Sequence, residues 1–475
     1  MGRVVTIDPV TRIEGHAKIS IQLDDQDKVA SARLQVTEFR GFEKLCEGRH
    51  FSELPTLTER ICGICPVSHH LASAKAVDAI CNVTPPPTAR KLRELMHMGQ
   101  LVQSHALSFF HLSAPDLLLG FDCDPRQRNV FGLAAAEPEV AREGIGLRRF
   151  GQEIIEAVAG RRIHPDVCVP GGMNRPLAVA DRDRLLGEVA DAKQAARHGL
   201  RLLLDRFEGS ADWVGAFASF PSNYLALVAQ DGTAEYYDGY LRLAGANGVA
   251  LEDLYDPNQY LSLVAEATEP WSYLKFPYYK PMGYPDGSYR VGPLARLNVC
   301  SGLGTPEANR ELRTFRERAR RLPIEGSLFY HQARLIELLH AVERAERLLA
   351  DEEICGQELI AERHQQRGEG VGVIEAPRGT LFHHYFVDER GMVERVNLIV
   401  ATGQNNQAMN QAVADVARHA LDGSQLTEPM LDRIEAAVRC YDPCLSCSTH
   451  AIGMMPLEVE LRAADGTPRA RVSRR

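Results

Sequence analysis

No stretch of this 475-residue chain approaches the ~18–20 consecutive apolar residues that a membrane span requires. Positive charge is in deficit: 54 Lys and Arg face 63 Asp and Glu, for a formal net charge of −9. That balance argues against nucleic acid as a partner, which calls for a basic surface. Cysteine is sparse and odd in number, 11 in all, too few for a disulfide-stapled scaffold. Internal repeats and low-complexity linkers are lacking. Residues Met1 to Pro9 show neither an apolar run of signal-peptide length nor a twin arginine, so the cytoplasm is the expected compartment. No Walker or Rossmann signature is present. The glycine run Gly368-Glu369-Gly370-Val371-Gly372 leads into a strand pattern, Val373-Ile374-Glu375, and so offers phosphate no helix N-terminus.

What the chain does have is two Cys-x-x-Cys pairs near its opposite ends, Cys62-Gly63-Ile64-Cys65 and Cys444-Leu445-Ser446-Cys447. They can share one metal only if the fold brings the two ends together. His69 follows the first pair and His450 the second, and Asp442-Pro443 leads into the latter. Spacing alone leaves three readings open: a closed structural zinc site, a soft-metal redox site, or thioredoxin-like exchange. Zinc modules commonly hold both pairs within a few tens of residues to stabilise a small fold, and a chain of this length needs no such clip. Cys46, Cys81, Cys123, Cys168, Cys300, Cys355 and Cys440 are scattered and read as small buried hydrophobes.

Apolar periodicity sets the expected architecture. Residues 17–40 alternate around Asp24-Asp25-Gln26-Asp27, which predicts an antiparallel hairpin. A short helix is expected from Leu57 to Ile61, and another from His69 to about Cys81. Thr88 is the expected N-cap of a long helix with Leu92, Leu95, Met96, Gly99, Val102, Ala106, Phe109 and Phe110 on one stripe, ended by Pro115. Helical patterns also cover about 139–160, 180–207, 306–321, 330–351, 406–421 and 427–440. Gly372–Glu375, Phe382–Val387 and Val396–Val400 read as strands. The expected fold is mainly α with small flanking β-sheets (α+β), a long-helix bundle in one compact domain that brings the two cysteine pairs together.

The segments Asp8-Pro9-Val10-Thr11-Arg12-Ile13-Glu14-Gly15-His16, Arg40-Gly41-Phe42-Glu43 and Glu375-Ala376-Pro377-Arg378-Gly379, with the two pairs, closely resemble the large subunit of nickel-iron hydrogenases. Val67-Ser68-His69-His70-Leu71, Gly379-Thr380-Leu381-Phe382-His383-His384-Tyr385 and Ala401-Thr402-Gly403-Gln404-Asn405-Asn406 resemble the soluble NAD-reducing group within that family. The resemblance runs from residue 4 to about 461. It implies a Ni-Fe centre whose iron carries CO and CN, with Cys62 and Cys444 as terminal nickel ligands and Cys65 and Cys447 bridging. Soft thiolates suit both metals.

Further roles follow from the same resemblance. Heterolytic splitting of dihydrogen needs a base for the proton, and Glu14 matches the family's proton gate. Arg378 matches an arginine over the open metal site, Pro377 its neighbour lining the pocket, and Asp116 and Asp442 the carboxylates that hold it. His69 matches a hydrogen-bond donor to a bridging thiolate. Thr402 lies where the family hydrogen-bonds a cyanide, although Ala401 stands where many members have proline. Glu43 and His450 match ligands of a magnesium ion, an unusual place for an imidazole.

The implied partners are a small subunit carrying an iron-sulfur cluster and diaphorase subunits carrying iron-sulfur clusters, FMN and NAD. Maturation would require nickel-insertion factors and an endopeptidase that removes residues 451–475 after His450. The expected activity is that of a catalytic subunit splitting dihydrogen and passing electrons to NAD. The alternatives are an NADP-, deazaflavin- or ferredoxin-coupled hydrogenase, a non-catalytic hydrogen sensor, the quinone-pocket subunit of complex I, or a structural zinc protein. Retention of all four cysteines argues against the complex I subunit.

Overall fold

The computed structural model describes residues 3–319, 322–362, 364–421, 426–450, 457–462 and 467–474. Long helices form the centre and small sheets lie at their flanks, as the patterning predicts. Helix Pro87–Ala106 packs against Pro138–Ala159 and Phe329–Ala350, and the last of these also packs on Val179–Glu208. The first crossing depends on glycine. A Cβ on Gly99 would lie 2.8 Å from the Gly151 carbonyl oxygen, and one on Gly151 2.5 Å from that of Gly99. Helix Phe329–Ala350 is buried nearly all round, the condition of a helix enclosed by its neighbours.

Two helix boundaries differ from expectation. Thr88 is not the N-cap: Pro86 holds that position and Pro87 fills the first helical site, where its fixed φ and missing N–H are harmless. The Thr88 hydroxyl instead donates to Glu353 O at 3.1 Å. Nor does Pro115 end the run. The helix loosens into a π-helix over Leu107–Ser113 and resumes as Ala114–Leu119, with Pro115 in its opening turn.

The hairpin Ala17–Leu23 and Val29–Val36 forms as expected, its turn closed by Asp24 accepting the N–H groups of Gln26 and Lys28. Val4–Ile7 adds a third strand. A second antiparallel sheet joins Glu369–Ala376, Gly379–Val387 and Val393–Ile399. Here the glycine run finds its purpose. Strand Glu369–Ala376 lies so close to helix Pro66–Ile80 that a Cβ on Gly370 or Gly372 would fall 2.2 Å from Ala76 O or 2.0 Å from Ala72 O. The run packs strand on helix, and that packing fixes the helix that begins at the first cysteine pair.

A four-stranded sheet, in the order Tyr289–Arg290, Asn223–Val228, Tyr240–Ala244, Ala250–Tyr255, has no counterpart in the patterning. Asn223–Val228 is buried throughout, so it lacks the alternation that marks a half-exposed strand. Near the C-terminus Leu457–Arg462 is a strand. It pairs with Pro468–Arg474 in a two-stranded sheet. Residues 451–456 lie outside the described residues.

Candidate metal centre

Both cysteine pairs sit at helix starts. Cys62 is extended after the 3-10 turn Glu59–Ile61, and Cys65 caps helix Pro66–Ile80, whose first residue is proline. The intervening turn points backbone N–H groups of Ile64 and Cys65 at Cys62 Sγ, at 3.2 and 3.4 Å. Asp442 ends helix Glu428–Tyr441 in the left-handed conformation (φ 50°), which an Asp tolerates better than most residues, and Pro443 prevents resumption. Cys444 is thereby extended and caps the short helix Leu445–Ser448, which carries Cys447. The N-terminal segment locks onto this turn: Glu14 bridges Cys444 in parallel fashion, and Leu445 N donates to Glu14 O at 3.2 Å.

The four sulfurs lie within 4.8 Å of one another and are buried. Cys444 Sγ is 3.2 Å from Cys62 Sγ, 3.9 Å from Cys65 Sγ and 2.9 Å from Cys447 Sγ, and Cys65 and Cys447 are 3.4 Å apart. None is in a disulfide. Burial pushes the Cys444 and Cys447 thiols well above the usual range, while thiol hydrogen bonds from Cys444, Cys447 and Cys65 hold Cys62 well below it. Four buried thiols cannot all ionise without a cation, and a bound divalent metal would displace their protons. The donor set fits a soft transition metal.

Beside the sulfurs lies a cavity of ≈ 20 Å³, bounded by Cys65, Cys444 and Cys447 and by Ser68, Pro377, Arg378, Leu381 and Thr402. Thr402 Oγ1 accepts the N–H of Cys444 at 2.9 Å, which leaves its own proton free to donate. Ser68 Oγ is buried there without a hydrogen-bond partner. Arg378 donates through Nε to Asp442 O at 2.5 Å, through Nη2 to Asp442 Oδ1 at 3.1 Å, and through Nη1 to Ser104 Oγ at 3.4 Å, with Asp442 Oδ2 in ion-pair range of Nη2 at 3.0 Å. Burial opposes its charge, but Asp442 and the cysteine sulfurs keep the guanidinium protonated.

Asp442 therefore bonds Arg378 through both its backbone carbonyl and its carboxylate. Asp116 does not. It pairs with Arg12, with Arg439 at 2.6 Å and with Arg128 at 3.5 Å, in a buried network shared with Asp432 and Glu435. Asp116 lies twelve residues beyond Ser104, about 18 Å along a helix, too far to reach the same guanidinium. Ser104 takes the place expected of the second carboxylate, and Asp116 instead ties the N-terminal segment to helix Glu428–Tyr441.

The backbone around Pro377 is pinned from behind. Arg296, fully buried, donates to Ala376 O at 3.0 Å and Pro377 O at 3.2 Å. It also grips Glu337 with two bonds of 2.5 and 2.6 Å and Glu375 at 2.7 Å. Planar fork geometry of this kind is available only to arginine.

Glu14 accepts the N–H and hydroxyl of Ser446, at 3.1 and 2.5 Å. Burial raises its pKa, with the Cys62 charge adding to the effect and the Ser446 bonds opposing it. His69 Nε2 lies 3.4 Å from Cys447 Sγ, and burial pushes its pKa down to about 4. His450 Nδ1 contacts Cys447 O at 2.8 Å, while its Nε2 is buried without a hydrogen-bond partner, 3.7 Å from Glu43 Oε1. An orphaned ring nitrogen facing a carboxylate is a geometry that a cation would complete.

Patterning did not reveal Ser68, Ser104, Ser446, Arg296, Glu337 or Glu375 as parts of the site. Ser446 carried a signal, since it lies between the second pair of cysteines. Ser68 and Glu375 stand inside the segments that carry the resemblance, but with no role of their own there, and Ser104, Arg296 and Glu337 are distant in sequence with nothing local to mark them.

The donor set and the fold that assembles it define a thiolate metal site of the hydrogenase kind. Residues 40–121 and 228–450 match the family model described as nickel-dependent hydrogenase, and the chain belongs to that family. A HoxL-like model matches residues 4–39. The chain is 46% identical to the NAD-reducing hydrogenase HoxS subunit beta of Cupriavidus necator, over 98% of each protein. It is 45% identical to a subunit of the vhu F420-non-reducing hydrogenase of Methanococcus voltae, over 88% of this chain and 98% of that one. A crystal structure of an NAD+-reducing NiFe-hydrogenase in the H2-reduced state superposes with a TM-score of 0.91 at 51% identity, covering 94% of this chain and 99% of that one.

Proposed function

We propose that this chain is the catalytic subunit of a hydrogenase that splits dihydrogen reversibly and passes the electrons through partner subunits to NAD. The observation that carries the reading is the meeting of four buried sulfurs from the two ends of the chain, within 4.8 Å, beside a small cavity. The relatives named NAD-reducing, similar over nearly the whole length, support the choice of acceptor.

In this reading Cys62 and Cys444 would hold nickel, and Cys65 and Cys447 would be shared between it and an iron carrying CO and CN. When bound, the metal pair supplies the heterolytic cleavage of dihydrogen. The chain's own residues do the rest. The apolar walls at Pro377 and Leu381 limit water. Arg378, kept cationic by Asp442, sets a positive field over the site. Glu14 takes the proton at its carboxyl and hands it outward. The Thr402 hydroxyl and the Ser68 hydroxyl give donors to the cavity, suited to a cyanide. Glu43 and His450 would hold a magnesium ion, Glu43 through oxygen and His450 through Nε2.

The partners are a small subunit with an iron-sulfur cluster, and diaphorase subunits that bind FMN and NAD. Nickel-insertion factors and an endopeptidase cutting after His450 would complete the chain. Placement is in the cytoplasm; no helix among the described residues is long and apolar enough to cross a membrane.

Metal analysis with infrared spectroscopy of the purified complex, followed by hydrogen-dependent NAD reduction, tests the proposal. Nickel, iron in excess of nickel because the partners' iron-sulfur clusters add to it, CO and CN bands, and NADH formation are expected. Zinc alone would sink the reading. Reduction of NADP, a deazaflavin or ferredoxin in place of NAD would correct the acceptor, and intact metals without turnover would favour a sensor. Cys65→Ala or Cys447→Ala should leave the centre unassembled, and normal turnover in either would refute the bridging roles.

A further inference from the structure

The His69 ring is held at both nitrogens. Its Nε2 lies 3.4 Å from Cys447 Sγ and its Nδ1 3.1 Å from His383 Nε2. His383 carries the row onward, with Nδ1 2.5 Å from Tyr385 Oη, and Tyr385 Oη is 2.8 Å from Ser73 Oγ. All four side chains are buried. Two periodicities build this row. His69 and Ser73 lie one turn apart on helix Pro66–Ile80, and His383 and Tyr385 lie two apart on one face of strand Gly379–Val387. The glycine-mediated packing of that sheet on that helix brings the two faces together.

A row of this kind can point only two ways. One proton lies between the facing nitrogens of His69 and His383, and Tyr385 has one proton to give, either to His383 or away from it, to Ser73 or the neighbouring Thr58. Given away from His383, it requires Nδ1–H on His383 and Nδ1–H on His69, so that a bare His69 Nε2 faces the sulfur. Given to His383, it reverses every bond, and the row ends in a His69 Nε2–H aimed at Cys447. A thiolate bonded to metal has no proton to offer a bare nitrogen, so only the second direction satisfies every group.

We propose that His383 and Tyr385 are positioning residues that lock His69 in the tautomer whose Nε2–H donates to the Cys447 thiolate. The inference rests on the nickel-iron reading of the site. Its consequence is electronic: a hydrogen-bonded thiolate gives less electron density to its metals than a bare one.

Infrared spectroscopy of the holoenzyme reads that density through iron-bound CO, whose band falls as donation rises. His383→Leu removes the donor, His383→Gln keeps an N–H beside an acceptor, and Tyr385→Phe keeps the ring without the hydroxyl. His383→Leu and Tyr385→Phe should shift the CO band to lower frequency, and His383→Gln should restore it, at unchanged nickel and iron content. An unmoved band in His383→Leu overturns the proposal. Equal shifts in the Leu and Gln variants overturn it as well, since they mark a steric effect. If His383→Leu fails to load nickel, Tyr385→Phe decides, and an unshifted band there overturns the proposal. Wild-type holoenzyme without CO or CN bands would sink the nickel-iron reading itself, a result read on the unaltered protein.

Discussion

Ser446 donates both its backbone N–H, at 3.1 Å, and its hydroxyl, at 2.5 Å, to the carboxyl of Glu14, 432 residues away. The same turn bridges Glu14 to Cys444 through the backbone. A carboxyl from the link between strands Val4–Ile7 and Ala17–Leu23 is thus tied to the helix that carries Cys447. Its proton affinity is raised by burial and by the charge at Cys62, which suits a group that must accept a proton and release it again.

Glu14→Gln keeps the size of the side chain and removes its titration. Hydrogen oxidation and hydrogen–deuterium exchange should both fall by about 10²–10⁴-fold, the usual range for a lost proton-transfer group. Nickel and iron content should stay at the wild-type level. Exchange at the wild-type rate would place the relay elsewhere.

Arg296 is the keystone behind Pro377. Burial opposes ionisation of Glu337, yet Arg296 overcomes it and holds that carboxyl at about 2. Arg296→Met would leave Glu337 and Glu375 as buried carboxyls without their cation, a loss of about 3–5 kcal/mol. A lower thermal midpoint is expected, together with reduced hydrogen turnover as Ala376 and Pro377 lose their anchors. Arg296→Lys should recover only part of either, because a single ammonium cannot replace the fork. A thermal midpoint unchanged in Arg296→Met would show that the network contributes little.

The helices were legible because their apolar stripes are long and face a core, so that Pro138–Ala159 and Val179–Glu208 differ from the expected spans by a residue or two. The hairpin at 17–36 was legible for the same reason, with a period of two. Asn223–Val228 was not, because burial on both faces erases the period. At the site, the cysteines announced themselves by spacing, whereas Ser104 and Arg296 act through tertiary contacts that leave no local pattern. Asp116 shows the cost of reading a carboxylate near a helix end without its register. It lies on the helix that carries Ser104, but three turns past the guanidinium it was expected to hold.

Glu59, at the start of the turn that leads into Cys62, supplies a pH test read on folding stability. Burial pushes its carboxyl up to about 8 from an ordinary 4.5, and its Oε2 has no hydrogen-bond partner. The nearby His70 gives no charge in return. It contacts Pro55 O through Nδ1 and accepts the Cys168 N–H at Nε2, and burial holds it at about 4. The folded chain therefore binds a proton at Glu59 that the unfolded chain releases above about 4.5. Stability from this group is complete below 4.5, declines as pH rises, and is lost above about 8, a change on the order of a few kcal/mol. Glu59→Gln should flatten that decline and raise the thermal midpoint at pH 8–9 relative to wild type. Parallel pH profiles for the two proteins would refute the assignment.

The mature, active chain is expected to end at His450. In the described structure the backbone of residues 457–462 and 468–474 forms a hairpin of its own, a two-stranded sheet separate from the sheets that frame the sulfurs. His450 itself is buried, with Nδ1 on Cys447 O and its carbonyl accepting the Glu43 N–H at 3.0 Å. With the tail attached His450 is already seated against Glu43, so cleavage after it would leave the new terminus in place, and the tail's part would lie in metal loading. The alternative is an ordinary C-terminal strand that stays attached. Intact-mass measurement separates the two. Active enzyme should lack residues 451–475, and a chain produced without nickel should retain them. A gene truncated after His450 should yield folded protein with little nickel, because the tail is then missing when loading takes place. A fully active chain still carrying Arg475 would overturn the maturation argument.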